Sequence, residues 1–419
     1  MLNVNLNSNT PWSSGVPYKI LNVLGGSDKT LVVGGAVRDW LRNSQVVDID
    51  FATKILPKEA SKLLSAAGFE VRPIGIDYGT IALFENKTSY EITTLRKDVL
   101  TDGRHAKVVF GDNWLEDALR RDFTVNALYA DEYGNIKDPT GLGFKDLKNK
   151  KLRFIGKPEA RIKEDYLRII RYFRLISKFS NNIDNSSMNA CIKYAKNINL
   201  LSGERITNEF NKIFIDKNFL KIIEFLLDYN IFKYIYSIEK LNDCKINKNY
   251  LKNINNKFIK NKNSYNKSFL LFTALILGSI KNDDGNIKSY VEGVSKRLRF
   301  SKNDEMLLLK KVNWIMKIHC ISKFDIYRIW LDNGKDAIES LQEIYYILGV
   351  KIEKEIKIVL NRAPPKFPCT GQDAIDVGFK EGKDVGKAIK NLKNWWITND
   401  CKKTYFECKQ ILKEEFNKL

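Results

Sequence analysis

Two aspartates separated by one isoleucine, Asp48 and Asp50 in VVDIDFAT, lie in an otherwise apolar stretch. Read as a strand, this run points residues i and i+2 to one face, so both carboxylates project together while Ile49 turns to the core. Carboxylates held side by side repel unless a cation lies between them. Hard oxygen ligands suit Mg2+, which is commonly held by one or two carboxylates plus substrate phosphates. The chemistry this points to is phosphoryl transfer by paired metal ions, which needs no histidine base. Only two histidines are present, His105 and His319, so there is no histidine cluster for zinc. Surface strands also carry Asp-x-Asp, so the pair gains meaning only from its surroundings.

Those surroundings begin with Gly34 and Gly35, between the apolar run TLVV and the helical pattern AVRDWLRN. Backbone N–H groups at such a turn can approach phosphate oxygens closely, because no Cβ intervenes. Arg38, one turn on, adds a guanidinium fork for a triphosphate. A plain packing turn has the same glycines. Glu91, in YEITTLR, alternates in phase with Thr93 and is either a third carboxylate for the metals or a solvent-facing strand residue. Leu115–Gly134 brings Arg120, Arg121 and Asp122 to the end of a short helix. There Arg121 is placed to meet phosphate or ribose, Asp122 joins the nucleotide-binding set, and Asn126 orders the turn or meets the sugar.

RIKEDYLRIIRYFRLISKF, Arg161–Phe179, predicts one long amphipathic helix. On it Asp165 and Arg168 fall one turn apart on nearly the same face, and Arg171 and Arg174 continue at i+3 steps. A salt-bridged helix shows this spacing too. The chemical reading is base recognition: a carboxylate accepts from an exocyclic amino group, and a guanidinium donates to a ring nitrogen or carbonyl. Cytosine and adenine present an amino donor beside an acceptor nitrogen. Guanine and uracil present a carbonyl beside an N–H. One Asp–Arg pair thus accepts CTP and ATP and refuses GTP and UTP.

These residues need elements to hold them. The N-terminal part, about 150 residues, reads as mixed α/β by its periodicity. Strands are expected at Thr30–Val33 and VVDIDFAT, a helix from Pro57 to Gly68, and a hairpin from Thr80–Glu85 and Ser89–Leu95. Lys97–Asn113, with TDGRHA at its middle, reads as a polar loop. After Gly156 nearly every segment has helical period. The 419 residues carry a formal net charge of +20, which favours a polyanionic partner, most simply nucleic acid. A coding bias toward Lys, Asn and Ile would produce the same basic surface. The Lys/Asn-rich segment 242–267 is either RNA-facing or a solvated connector. None of the six cysteines has a metal-like spacing; with no secretory pattern at Met1–Ile20, they read as reduced thiols of a cytoplasmic protein. The longest apolar run, Ser268–Ile280, is shorter than the ~20 residues of a membrane span and reads as a buried helix.

The motifs GGAVRDWLRN, DID, DGRHA, RRDFTVNALY, DPTGLGFKDL and RIKEDYLRIIRYFR resemble, in order and spacing, class II tRNA nucleotidyltransferases, the CCA-adding enzymes. Further on, Leu200–Ile213 is similar to the family's neck-to-body junction, and Phe367–Trp396 resembles the tail of one bacterial branch. The resemblance implies an α+β chain in four parts. A nucleotidyltransferase palm with a mixed sheet occupies 1–155, a helical neck carrying the nucleotide template 156–215, a helical body 216–285, and a helical, tRNA-binding tail 286–419. It implies that Asp48 and Asp50 bind Mg2+, that Gly35, Arg38 and Arg121 contact triphosphate and sugar, and that Asp165 and Arg168 template the base with Arg171 and Arg174 in support. Segment 97–113 corresponds to the family's flexible loop, with Asp102 and Arg104 as its levers. The implied partners are CTP, ATP and the tRNA 3′ end with its acceptor and T-arm region; no membrane or protein partner is implied. Lys157 stands where the family often has Asp, which alters a local helix cap. Poly(A) polymerases share this head, an A-adding enzyme looks nearly identical, and a tRNA-binding protein without catalysis remains a third alternative.

Overall fold

Strand β1 (Thr30–Val33) is buried along its whole length, as expected of an apolar run with no polar face to turn outward. A computed structural model describes residues 10–85, 88–101, 106–179, 182–216, 218–239, 241, 247–258, 265–279 and 287–418. In it, β1 is followed by β2 (Asp50–Thr53), β3 (Glu70–Gly75), β4 (Thr80–Glu85), β5 (Thr88–Thr94), β6 (Arg96–Thr101), β7 (Ala106–Phe110), β8 (Tyr129–Ala130) and β9 (Ile136–Lys137). Seven of these form one mixed sheet in the order β3-β4-β5-β2-β1-β8-β9. The β4–β5 hairpin and the helices Gly35–Leu41 and Pro57–Ala66 stand where the sequence places them. β2 runs antiparallel to β1, with Val33 opposite Asp50, and parallel to β5, with Phe51 beside Ile92.

That register corrects the expected strand at VVDIDFAT. Regular pairing begins only at Asp50, and Asp48 lies in the irregular chain before it. β1 ends at Val33, and Gly34, with φ +78°, turns the chain away into the helix Gly35–Leu41. Residues upstream of Asp50 therefore have no partner on β1. Asp48 and Asp50 do not share a strand face by pleat geometry.

The expected loop 97–113 is in large part a ribbon. β6 and β7 pair antiparallel with Arg96 opposite Phe110, and residues 102–105 lie outside the described residues. Val108, Val109 and Phe110 are strand-favouring residues, a signal hidden by the polar residues around them. The expected single helix Arg161–Phe179 is two: Pro158–Glu164 and Leu167–Ile176. Asp165 between them is extended, with φ −158° and ψ 108°, and its Oδ1 accepts the Leu167 N–H at 3.1 Å. An aspartate that satisfies an otherwise orphan helix donor competes with helix continuation. Lys157 does occupy the N-cap of the first helix without a side-chain bond.

Leu31, Val33, Ala52, Leu95, Trp114, Ala118, Ala127, Tyr129 and Ile155 form a core cluster that ties the sheet to the helix Trp114–Leu119. Beside it, Gly143 packs against the short turn Thr124–Asn126. A Cβ there would stand 2.5 Å from the Thr124 carbonyl oxygen and 2.9 Å from a Leu128 methyl. Backbone cannot yield as a flexible side chain does, so Gly143→Ala is expected to cost about 1–3 kcal/mol. Thermal unfolding of the variant against the parent checks this.

Contacts divide the chain into two compact units, Met1–Asn242 and Asp243–Leu419. Among the described residues, the named elements from Asn185 onward are all helices. Among the described residues after 156, the one non-helical element is the two-residue strand Asn182–Ile183, which pairs in parallel with Lys151–Leu152. In the second unit the apolar run forms the expected buried helix, Tyr265–Gly278, with Phe269–Leu277 covered throughout. Capping boxes start three of its other helices, at Ser322/Asp325, Thr370/Asp373 and Thr404/Glu407. No described helix is long and apolar enough to cross a membrane.

Candidate active site

Nine residues line one cleft of about 260 Å³: Gly34, Gly35, Asp50, Arg121, Asp122, Asn126, Asp165, Arg168 and Arg171. They come from the end of β1, the start of β2, the turn after the helix Trp114–Leu119, and the broken helix at Asp165. All nine are among the residues singled out by sequence. Asp48, Glu91, Arg38 and Arg174 are not in that lining, and Asp102 and Arg104 lie outside the described residues.

At one end stands Asp50. The β2–β5 register sets it beside Glu91 on a neighbouring strand. Asp50 keeps accessible surface toward the cleft, yet the protein around it leaves little bulk water. Its carboxyl is pushed up to about 6, first by lost solvation and next by the Glu91 carboxylate; Arg121 opposes the rise, Asp48 adds to it and Lys212 opposes it. Among the described residues, no group of three or more His, Cys, Asp or Glu stands ready to hold a metal ion. The Glu91 carboxylate raises the Asp50 carboxyl more than Asp48 does.

The glycine turn is tighter than its sequence shows. Gly34 donates its N–H to Leu128 O at 3.1 Å, which commits that group. Arg38 is buried, with its Nε and Nη2 on the two Asp39 oxygens at 2.9 and 2.7 Å and Nη1 on Asn126 Oδ1 at 2.6 Å. Its fork is engaged by protein. Asn126 passes the contact on, donating Nδ2 to Asp122 Oδ1 at 3.0 Å. Asp122 in turn accepts from Arg171 Nε at 2.8 Å. Burial works against charge on Asp122, but Arg171 and the Asn126 amide hold its carboxyl well below the usual range.

At the other end, Asp165 and Arg168 both line the cleft; the Arg168 N–H donates to Asp165 O at 3.1 Å, but their side chains take other partners. Arg205 Nη2 donates to Asp165 Oδ2 at 2.7 Å. Arg168 Nη1 donates to Glu164 Oε2 at 2.6 Å and to Arg161 O at 2.8 Å, and its Nη2 reaches Arg120 O at 3.2 Å. Arg174 Nε is held by Glu209 Oε2 at 2.8 Å, and Glu209 also faces Arg171 at 3.5 Å. Sequence reasoning missed Arg205 and Glu209. They sit at i and i+4 on the helix Gly203–Ile215, a spacing that shows a shared face but not what that face meets. Glu164, four residues before Arg168, carried a visible i,i+4 signal.

The arrangement brings a carboxylate end, a glycine turn and a polar recognition end into one cleft. Residues 30–153 match the family model described as the poly A polymerase head domain, and residues 182–240 the one described as a probable RNA and SrmB- binding site of polymerase A. The class so defined is that of nucleotidyltransferases with a poly A polymerase head. The Homo sapiens protein named CCA tRNA nucleotidyltransferase 1, mitochondrial, is 32% identical over 378 residues, spanning 87% of this chain and 82% of that one. The chain belongs to the CCA tRNA nucleotidyltransferase family. A CCA-adding enzyme of Anoxybacillus flavithermus is 38% identical over 205 residues, 48% of this chain and 50% of that protein. In fold, the chain is similar to the Bacillus stearothermophilus CCA-adding enzyme solved in complex with CTP, at TM-score 0.71 and 21% identity, with 96% of each chain covered.

Proposed function

We propose that this protein adds C, C and A to the 3′ end of tRNA without a nucleic-acid template, using CTP and ATP and releasing pyrophosphate. The observation that carries the reading is the single cleft in which Asp50, the glycine turn and the Asp165/Arg168 pair meet. In each cycle the 3′-terminal oxygen of the RNA bonds to the nucleotide's α-phosphorus, the α–β anhydride bond breaks, the hydroxyl proton is lost, and pyrophosphate leaves.

The family works with a divalent metal ion, and the donors here fit one. The raised Asp50 carboxyl beside Glu91 and Asp48 is a repulsion that a cation would relieve. Mg2+ held by Asp48 and Asp50 would stabilise negative charge on the phosphates and the attacking oxygen. Arg121 faces the phosphates and sugar. Gly35 lets the turn approach them, while Asn126 and Asp122 border the sugar. Arg38, with its fork engaged, holds Asn126 in place. Asp165 and Arg168 read the base edge, with Arg171, held by Asp122, and Arg174, held by Glu209, in support.

Around this centre we assign 1–155 as the head, 156–215 as the neck, 216–285 as the body and 286–419 as the tail that grips the tRNA acceptor and T-arm region. Asp102 and Arg104 remain the proposed levers between C and A addition. Five described cysteines are free thiols, which suits a reducing compartment such as the cytoplasm.

The head-domain description also covers poly A polymerases, so product length decides between them. With CTP, ATP, Mg2+ and a tRNA lacking CCA, the expected product on a sequencing gel is three nucleotides longer than the primer. A long tail made from ATP alone would establish the poly(A) reading instead.

A further inference from the structure

Arg121 is held from behind. Its Nη2 and Nε donate to Asp117 Oδ2 at 3.0 and 3.2 Å, and Nε also reaches the Tyr129 hydroxyl at 3.2 Å. The Tyr129 hydroxyl itself donates to Asp117 Oδ2 at 2.7 Å. Both partners are fully buried. Asp117 Oδ1 is occupied separately by Arg120 Nε at 2.8 Å. The Tyr129 ring packs edge-on against Trp114 at 5.2 Å and lies 5.3 Å from the Arg121 guanidinium carbon. This leaves Nη1 as the edge of Arg121 that faces the glycine turn: it stands 3.6 Å from where a Cβ on Gly34 would be.

An arginine side chain free to sample its rotamers must be ordered each time it grips an anion. One fixed in its working rotamer by buried partners has been ordered in advance, which favours binding. Asp117 keeps its charge, held down to about 2, because Arg121, Arg120 and the Tyr129 hydroxyl outweigh the cost of burial. The Tyr129 hydroxyl keeps its proton, since burial raises it far above its usual range. The acceptor and the donor of the clamp therefore hold their roles across the working pH range.

We propose that Asp117 and Tyr129 are positioning residues that fix Arg121 by its Nε/Nη2 edge so that Nη1 meets the phosphates of the incoming nucleotide. This rests on the reading of the cleft as the CTP/ATP site. Neither residue touches the nucleotide; each acts through Arg121.

The test is calorimetric binding of CTP in Mg2+ to the full chain and to Tyr129→Phe, Arg121→Ala and the double variant, with thermal unfolding alongside. Tyr129→Phe keeps the ring packing and removes only the hydroxyl. It is expected to weaken CTP binding about 3- to 10-fold, the range of one hydrogen bond. In the Arg121→Ala background the same change is expected to add no further loss, because groups acting through one partner are non-additive. An equal loss in both backgrounds, or a lowered melting temperature with CTP binding unchanged, overturns the clamp. If Arg121→Ala itself binds CTP as the parent does, the nucleotide reading of Arg121 fails, and the clamp fails with it.

Discussion

Asp50→Asn is expected to abolish nucleotide incorporation while making the metal-free protein more resistant to heat at neutral pH. The first effect follows from losing a metal-binding carboxylate, a loss on the order of 1,000-fold or more. The second follows from the raised carboxyl. Asp50 has its ordinary value near 3.8 in the unfolded chain and about 6 in the fold, because lost solvation and the Glu91 and Asp48 carboxylates disfavour its charge. A group raised on folding contributes stability below its unfolded value and loses that contribution as pH rises through its folded value. The parent therefore loses stability between about pH 4 and pH 6, and asparagine, which carries no charge, does not. In EDTA at pH 7.5 the variant is expected to melt about 2 °C above the parent, with the gap closing near pH 4. Divalent metal is expected to raise the parent's melting temperature and leave the variant's unchanged. Differential scanning calorimetry at the two pH values, with and without metal, reads all of this. A variant that melts below the parent in EDTA at pH 7.5 contradicts the carboxylate-repulsion account.

Arg168→Ala is expected to relax nucleotide choice. Arg168 lines the cleft with its guanidinium fixed by Glu164 Oε2, Arg161 O and Arg120 O. Across from it, Asp165 is fixed by Arg205. A donor and an acceptor immobilised in this way discriminate between base edges because a mismatched edge leaves buried polar groups unpaired. Such a pair distinguishes bases by about 1–3 kcal/mol, so the preference for CTP over UTP is expected to fall about 10- to 100-fold. Arg205→Ala, which frees Asp165 without removing it, is expected to move the preference in the same direction by less. Single-turnover incorporation of each of the four nucleoside triphosphates measures both. An Arg168→Ala protein with an unchanged CTP-to-UTP ratio would remove the base-reading role from that residue.

Much of the site was legible because its residue types are rare in combination. Asp-x-Asp after a glycine turn, RRD before a short turn, and Asp-x-x-Arg in a helical run all supply residues to the cleft. The hairpin β4–β5 and the buried helix Tyr265–Gly278 were legible because alternation and apolar length are local properties. What was not legible depends on partners distant in sequence. The strand at Asp50 starts late because β1 ends at Val33. The helix at Asp165 breaks although its apolar period continues, since the aspartate takes a backbone donor and Arg205 takes the aspartate. Arg38 carries the residue type of a phosphate contact but spends its donors on Asp39 and Asn126, the second of them 88 positions away. Spacing shows which side chains share a face; it does not show which of them a third side chain has already engaged.

Under the proposed function, one metal-dependent cleft selects C, adds it twice and then stops for A. The most direct measurement is incorporation of labelled CTP, supplied alone with Mg2+, into a purified tRNA that lacks CCA. The expected result is extension by two C residues and a halt, followed by one A when ATP is added. No incorporation of CTP, with ATP alone extending the same tRNA, would contradict it.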